Sequence, residues 1–296
     1  MAMIVLSWHA SAGQKMVKTG NYVVGGYPIT TEQVPFQVSV RWRWLHEFHF
    51  GRGHVCGGSL LSQRVVCSAA HCYAINQSNP LRYRSSELYV VVAGSTFIEI
   101  SDSTTQEFLV QELSGHWGYN HSTLVNDIAL LFLNGFINWR FTIIRPIRLP
   151  KTPPQPGTFC AIGGWGKVGK LTMMHQGIVP IWHNRHCSVI YKNLPASQMC
   201  AGYLTGGTDA CQGDSGSPLH CAGELAGIVS WGIGCGNPGF PGVYTNVSSY
   251  IEWIRSHNST FNYSYYARMR HLQNIANNWN YNLFLLMAGV IIASKS

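Results

Sequence analysis

The chain has 296 residues, 46% of them hydrophobic and only 11% charged, and it carries a formal charge of +8 with a pI near 9.1. Its basic residues are scattered rather than gathered on one run, which fits a basic secreted protein and excludes a nucleic-acid binder. The length suits two domains of ordinary size. Thirty-one glycines, thirteen prolines and many short Val/Ile/Tyr-rich runs exclude a helical bundle and predict an all-β fold.

Residues 1–22 read as a signal and propeptide segment. Ala10-Ser11-Ala12 has the form of a signal-peptidase site, although the apolar run before it lacks a basic flank and is shorter than usual. From 23 to 134 strand-like runs alternate with polar turns: Phe36–Val40, Leu60–Val66, Leu88–Ala93, Phe108–Leu113 and Ile128–Leu133. They predict a six-stranded Greek-key barrel. The basic and aromatic run 41–52 reads as a hairpin loop on the surface.

Residues 135–258 hold an extended, proline-marked linker to about 157, then a second barrel and a helix. The second strand set is Phe159–Ile162, Gly177–Pro180, Met199–Ala201, Pro218–Cys221, Glu224–Trp231 and Gly242–Asn246. Ser249 and Glu252 have capping-box spacing and predict a helix from there to about His257. The tail 259–296 reads as disordered or anchor-like. Its eleven apolar residues Leu283–Ala293 are too few for a spanning helix, which needs about 20, but could be the removed end of a lipid-anchor signal.

Nine cysteines and five Asn-X-Ser/Thr sequons (Asn76, Asn120, Asn246, Asn258, Asn262) point to an oxidising, glycosylating route and a secreted protein. No pair has CxxC spacing, so neither zinc nor another metal is expected. Spacing alone leaves the disulfide connectivity open.

Three short stretches carry chemistry. Gly213-Asp214-Ser215-Gly216 offers a hydroxyl, which is a nucleophile only if a base takes its proton and donors receive the charge that forms. Ala69-Ala70-His71-Cys72 offers the base. Asn126-Asp127-Ile128-Ala129 offers a carboxylate to orient it. The order His71, Asp127, Ser215 matches the Ser-His-Asp triad that serves as the general template for serine proteases. The chain resembles the trypsin-like serine proteases of the chymotrypsin fold, and its layout is similar to that of insect secreted trypsin-like enzymes.

The resemblance implies two six-stranded β-barrels packed side by side with a C-terminal helix, and acyl-enzyme hydrolysis by His71, Asp127 and Ser215. It places the oxyanion hole at the amides of Gly213 and Ser215. Asp209 falls at the base of the primary pocket, Ala210 beside it, Gly232 and Gly242 on the walls, and Ser230-Trp231-Gly232 on the edge that pairs with substrate. A carboxylate there implies cleavage after Arg. Ala210 offers no hydroxyl to a lysine ammonium, so Lys is expected to be cut less readily.

Val23 matches the mature N-terminus, whose amine would pair with Asp214 after cleavage of a zymogen. The residue before it is Tyr22, so activation there calls for a protease of chymotrypsin-like preference. The implied disulfides are Cys56–Cys72, Cys160–Cys221, Cys187–Cys200 and Cys211–Cys235, leaving Cys67 as a buried inert thiol. Ser217 stands where the family has glycine. Pro241 implies no sodium switch, and no cofactor is expected. Expected partners are protein or peptide substrates with Arg or Lys and proteinaceous inhibitors, with no nucleic acid and a monomeric chain. The alternative is a catalytically silent homologue that acts by binding.

Overall fold

The computed structural model describes residues 23–75, 80–139, 143–166 and 173–261. The readings of residues 1–22, of the Asn76 and Asn262 sequons and of Leu283–Ala293 lie outside them. Residues 1–250 form one unit and residues 251–296 a second.

After a two-residue strand β1 (Tyr27–Pro28), the first six strands are β2 (Gln37–Trp42), β3 (His54–Leu60), β4 (Val65–Ser68), β5 (Tyr89–Ala93), β6 (Gln106–Gly115) and β7 (Ala129–Leu133). They close into a barrel in the order β2-β3-β4-β7-β6-β5. Strands β5 (Tyr-Val-Val-Val-Ala) and β7 (Ala-Leu-Leu-Phe-Leu) are buried along their whole length. This is why they read as continuous apolar runs rather than as alternation.

Two expectations need correction here. The run Leu60–Val66 is not one strand, because the chain reverses between β3 and β4, with the amides of Leu61 and Ser62 both donating to the Val65 carbonyl. The predicted loop 41–52 is also only partly a loop. Strand β2 continues through Trp42 and is followed by a helix, α1 (Arg43–Phe48), which carries an Arg43–Glu47 pair at i,i+4 spacing.

The second sheet holds β8 (Phe159–Gly164), β9 (His175–Pro180), β10 (Gln198–Ala201), β11 (Pro218–Cys221), β12 (Glu224–Trp231) and β13 (Gly242–Asn246). Its order is β1-β9-β8-β11-β12-β13-β10, so β1 is an extra edge strand. The six longer strands rejoin through an Ile181–Ala201 bridge and the bonds Trp182 N–H to Cys200 O and Gly202 N–H to Pro180 O. An unpredicted helix α2 (Asn184–Tyr191) lies between β9 and β10. The core of this barrel includes Ile162, Val179, Leu219, Ala226, Val229 and Tyr244, with Val23 packed among them.

Disulfides join Cys56–Cys72, Cys160–Cys221, Cys187–Cys200 and Cys211–Cys235. Cys67 is free and fully buried in β4. Asn246 is only 8% exposed, donates its amide to the Ala196 carbonyl and accepts from Ser248. It is therefore no glycan acceptor, whereas Asn120 is exposed.

In the second unit, α3 spans Ile251–Thr260. The predicted opening at Ser249 falls instead in a 3₁₀ turn, Val247–Tyr250, and the helix runs three residues past His257.

Candidate active site

His71 sits in a 3₁₀ turn, Ala70–Cys72, directly after β4. Asp127 is positioned two residues before β7 by a loop in which Leu124 and Asn126 both take left-handed backbone, at φ 53° and 61°. Asparagine tolerates that region better than most residues. The Asn126 side chain fixes the turn by donating to Gly118 O and accepting from the Tyr250 hydroxyl.

Asp127 is fully buried, and its hydrogen bonds reach His71 and two residues of the second sheet. One carboxylate oxygen accepts the His71 backbone N–H at 2.8 Å, and the other faces His71 Nδ1 at 2.7 Å. The second oxygen also accepts the Ser230 hydroxyl at 2.5 Å, and the Asp127 carbonyl accepts from Thr245. Burial alone would raise the Asp127 carboxyl, but the adjacent His71 and these hydrogen bonds hold it below its ordinary value. Burial would likewise lower the His71 imidazole, but the Asp127 charge and its hydrogen bond together outweigh burial and raise it. His71 thus has Nδ1 committed to a carboxylate and Nε2 left for proton transfer.

Ser215 is brought to the same place by backbone contacts. Its carbonyl accepts the Gly57 N–H at 2.7 Å, and Gly57 follows Cys56, whose disulfide sulfur lies within 4.8 Å of a His71 ring nitrogen. The sulfurs of Cys56 and Cys72 are bonded to each other, so the three groups do not form a ligand set for a metal. Gly216, at φ 79°, packs so closely against Ser68 and the Gly57 carbonyl that a Cβ there would collide with both.

Ser217 departs from the family pattern without strain. It is absent from the residues with positive φ, it is fully buried, and its hydroxyl accepts from Gln37 Nε2 at 2.9 Å. Room for it comes from Gly57, where any Cβ would run into the Ser217 hydroxyl.

A pocket of about 200 Å³ opens beside Ser215, lined by Asp209, Ala210, Ser230, Trp231, Gly232 and Gly242 among others. That is below the roughly 300–1,000 Å³ of a drug-sized site and suits a single long side chain. Asp209 is 4% exposed, and among the described residues its oxygens accept only the backbone N–H groups of Ala210 and Gly236, at 2.8 and 2.9 Å. Burial pushes its carboxyl up to about 6, with those two bonds acting against the rise. A side chain on Gly242 would meet the Asp209 carboxylate at 2.6 Å. One on Gly232 would make only ordinary contacts, the nearest with the Gly234 carbonyl at 3.5 Å.

Asp214 is 1% exposed and accepts from the amides of Gly166 and Cys211, both at 2.9 Å. Burial pushes it up to about 7. Val23 is 2% exposed, and the next residue, Val24, bridges Asp209 through paired backbone bonds. Gly213 has φ 97° and its carbonyl faces His54 Nε2 at 2.8 Å.

No motif marks His54, Gln37 or the backbone donors Cys211 and Gly236. Gly166 closes the glycine-rich run Gly163-Gly164-Trp165-Gly166, whose packing needs glycine, since a Cβ on Gly164 would strike the Asp214 carboxylate.

Comparison with known proteins agrees with this geometry. The family model described as Trypsin matches residues 23–254. Trypsin I-P1 of Gallus gallus is 38% identical over 240 residues, covering 79% of this chain and 88% of that protein. Serine protease 1 of Homo sapiens and anionic trypsin of Canis lupus familiaris are each 35% identical over 262 residues, covering 86% of this chain and 96% of theirs. With its two β-barrels, its four disulfides and this extent of match, the chain belongs to the trypsin family of serine endopeptidases.

Proposed function

We propose that the chain is a secreted endopeptidase, made as a zymogen, that cleaves proteins after Arg and less readily after Lys. Ser215 attacks the scissile carbonyl, while His71 takes its proton and returns it to the leaving amine. Asp127 keeps the imidazole in the working tautomer and stabilises it when charged. The amides of Gly213 and Ser215 receive the oxyanion. The first barrel belongs to residues 23–134, residues 135–258 hold the linker, the second barrel and the C-terminal helix, and a cut after Tyr22 frees the Val23 amine to meet Asp214.

The observation that carries the specificity is Asp209, a carboxylate buried at the end of a pocket lined by Ser215, with only two backbone donors for company. A guanidinium entering the pocket can satisfy it with two parallel bonds while its methylenes leave water. With Ala210 offering no hydroxyl, an ammonium has less to bind.

The test replaces Tyr22 by Arg, cuts the chain there with trypsin and, after removing the trypsin, measures kcat/KM on matched Arg and Lys peptides. Arg should be preferred, and a lysine preference overturns the pocket reading. No turnover despite a free Val23 terminus supports the silent homologue instead.

A further inference from the structure

The face of β2 that carries Gln37, Ser39 and Arg41 is polar and buried, while Val38 and Val40 point into the barrel core. Pairing of β2 with β3 skips Val55 between Val40↔Cys56 and Arg41↔His54, which puts a bulge in β3, while β2 pairs regularly with β5 through Trp42, so alternation along β2 sets Arg41 beside Ser39. Arg41 ends fully buried. Its Nε donates to Ser39 Oγ at 2.9 Å, one terminal nitrogen donates to the Ile98 carbonyl at 2.9 Å, and the other meets His46 Nδ1 at 3.3 Å. The guanidinium also lies over the Phe50 ring, 4.5 Å from its centroid. Ser39 Oγ lies 2.8 Å from His54 Nδ1, and His54 Nε2 lies 2.8 Å from the Gly213 carbonyl.

The Gly213 carbonyl can only accept, so His54 donates to it from Nε2. With the imidazole neutral, its Nδ1 is then an acceptor and takes the Ser39 hydroxyl hydrogen, while Arg41 Nε–H, which can only donate, fills a lone pair of Ser39 Oγ. On the other arm, His46 Nδ1 accepts from Arg41, leaving Nε2–H for Glu107 at 2.9 Å.

We propose that Arg41 is a positioning residue for the oxyanion segment, acting through Ser39 and His54 to hold the Gly213 carbonyl and with it the left-handed turn at Gly213. The proposal rests on the reading of Gly213 and Ser215 as oxyanion donors. Residue 213 is gripped on its C-terminal side twice, by His54 at its carbonyl and by the Asp214 N–H donating to Cys211 O at 2.9 Å. Among the described residues nothing accepts from its own N–H, which leaves that donor for substrate. Two further observations agree. Burial, opposed by the Gly213 hydrogen bond and aided by the Arg41 charge, lowers His54 to about 4, so it stays neutral in working conditions. Arg41 is itself lowered by burial, to about 10, and remains a cation there.

The experiment uses the full chain with Tyr22→Arg, cut to free Val23, as parent, and compares Ser39→Ala, Ser39→Thr and Arg41→Met in that background. Benzamidine reports the Asp209 pocket alone, and a peptidyl-arginine aldehyde, which needs an oxyanion on Ser215, reports both. Ser39→Ala and Arg41→Met should bind benzamidine like the parent. They should lose about tenfold in kcat and in aldehyde affinity with KM little changed, and Ser39→Thr should restore both. The ¹⁵N shifts of His54 should show a pure Nε2–H tautomer in the parent and a mixture in Ser39→Ala. Ser39→Ala keeps the test open if Arg41→Met does not fold. Unchanged kcat and tautomer in Ser39→Ala, or equal losses for benzamidine and aldehyde, overturn the relay alone. A parent that binds benzamidine and forms no aldehyde adduct overturns the oxyanion reading, and the relay falls with it.

Discussion

Replacing Asp214 by Asn in the uncut chain, with Ser215→Ala present to prevent self-cleavage, isolates the charge of one carboxyl. That carboxyl is 1% exposed, accepts two backbone hydrogen bonds and is pushed up by burial from 3.8 to about 7. A carboxyl raised in the folded state favours folding while it is protonated. Its contribution is therefore full below about pH 4 and is lost as pH rises toward 7. A gap of about three pH units, at roughly 1.4 kcal/mol each, bounds the loss at about 4 kcal/mol.

Asparagine has one acceptor oxygen where the carboxylate has two, so one of the two amides loses its partner. This gives a constant offset of about 1–3 kcal/mol that does not vary with pH. Urea unfolding from pH 4.5 to 7.5 reads the slope separately from the offset. The chain that keeps Asp214 should lose stability relative to the Asp214→Asn variant across that window. A cut at position 22, made possible by Tyr22→Arg, should remove the loss, because a paired amine favours the charged carboxylate. Parallel profiles of the two uncut chains would refute the argument that this carboxyl is buried without a compensating cation.

Two further outcomes are expected. Gly57→Ala should destabilise the chain by about 1–3 kcal/mol, because its methyl runs into the Ser217 hydroxyl, and adding Ser217→Gly should recover part of that loss in a double-mutant cycle; strict additivity would show that the two residues do not collide. Cys67, free and fully buried with its thiol pushed up to about 12 by burial, should resist iodoacetamide in the native chain and react on unfolding; labelling at the native rate of an exposed thiol would place it elsewhere.

The parts legible in the sequence were those with local signatures. Strand β7 announces itself as five consecutive apolar residues, and the stretches around His71, Asp127 and Ser215 announce themselves by residue type and order. What stayed hidden depends on pairing between distant segments. Leu61-Ser-Gln-Arg64 looks like the middle of a strand until β4 folds back antiparallel onto β3. Arg41 sits in a run of charges and aromatics whose composition belongs on a surface, and only the continuation of β2 through Trp42, paired with β5, places it on the buried face. His54 is one of thirteen histidines, and no motif marks it. The fit of Ser217 rests on the glycine at position 57, far back in the chain, a relation no local pattern encodes.

The buried Asp127 has a consequence for the cell that makes this protein. Its partners come from both barrels: His71 follows β4, while Ser230 and Thr245 lie in β12 and β13, near the end of the described chain. A ribosome delivers the chain from its N-terminus, so a first barrel that folds early carries base and acid without the hydroxyls that steady them or the serine that would attack. In truncated and half-translated products the site is incomplete by virtue of the chain order, because Ser215 and the strands that steady Asp127 are the last parts to arrive.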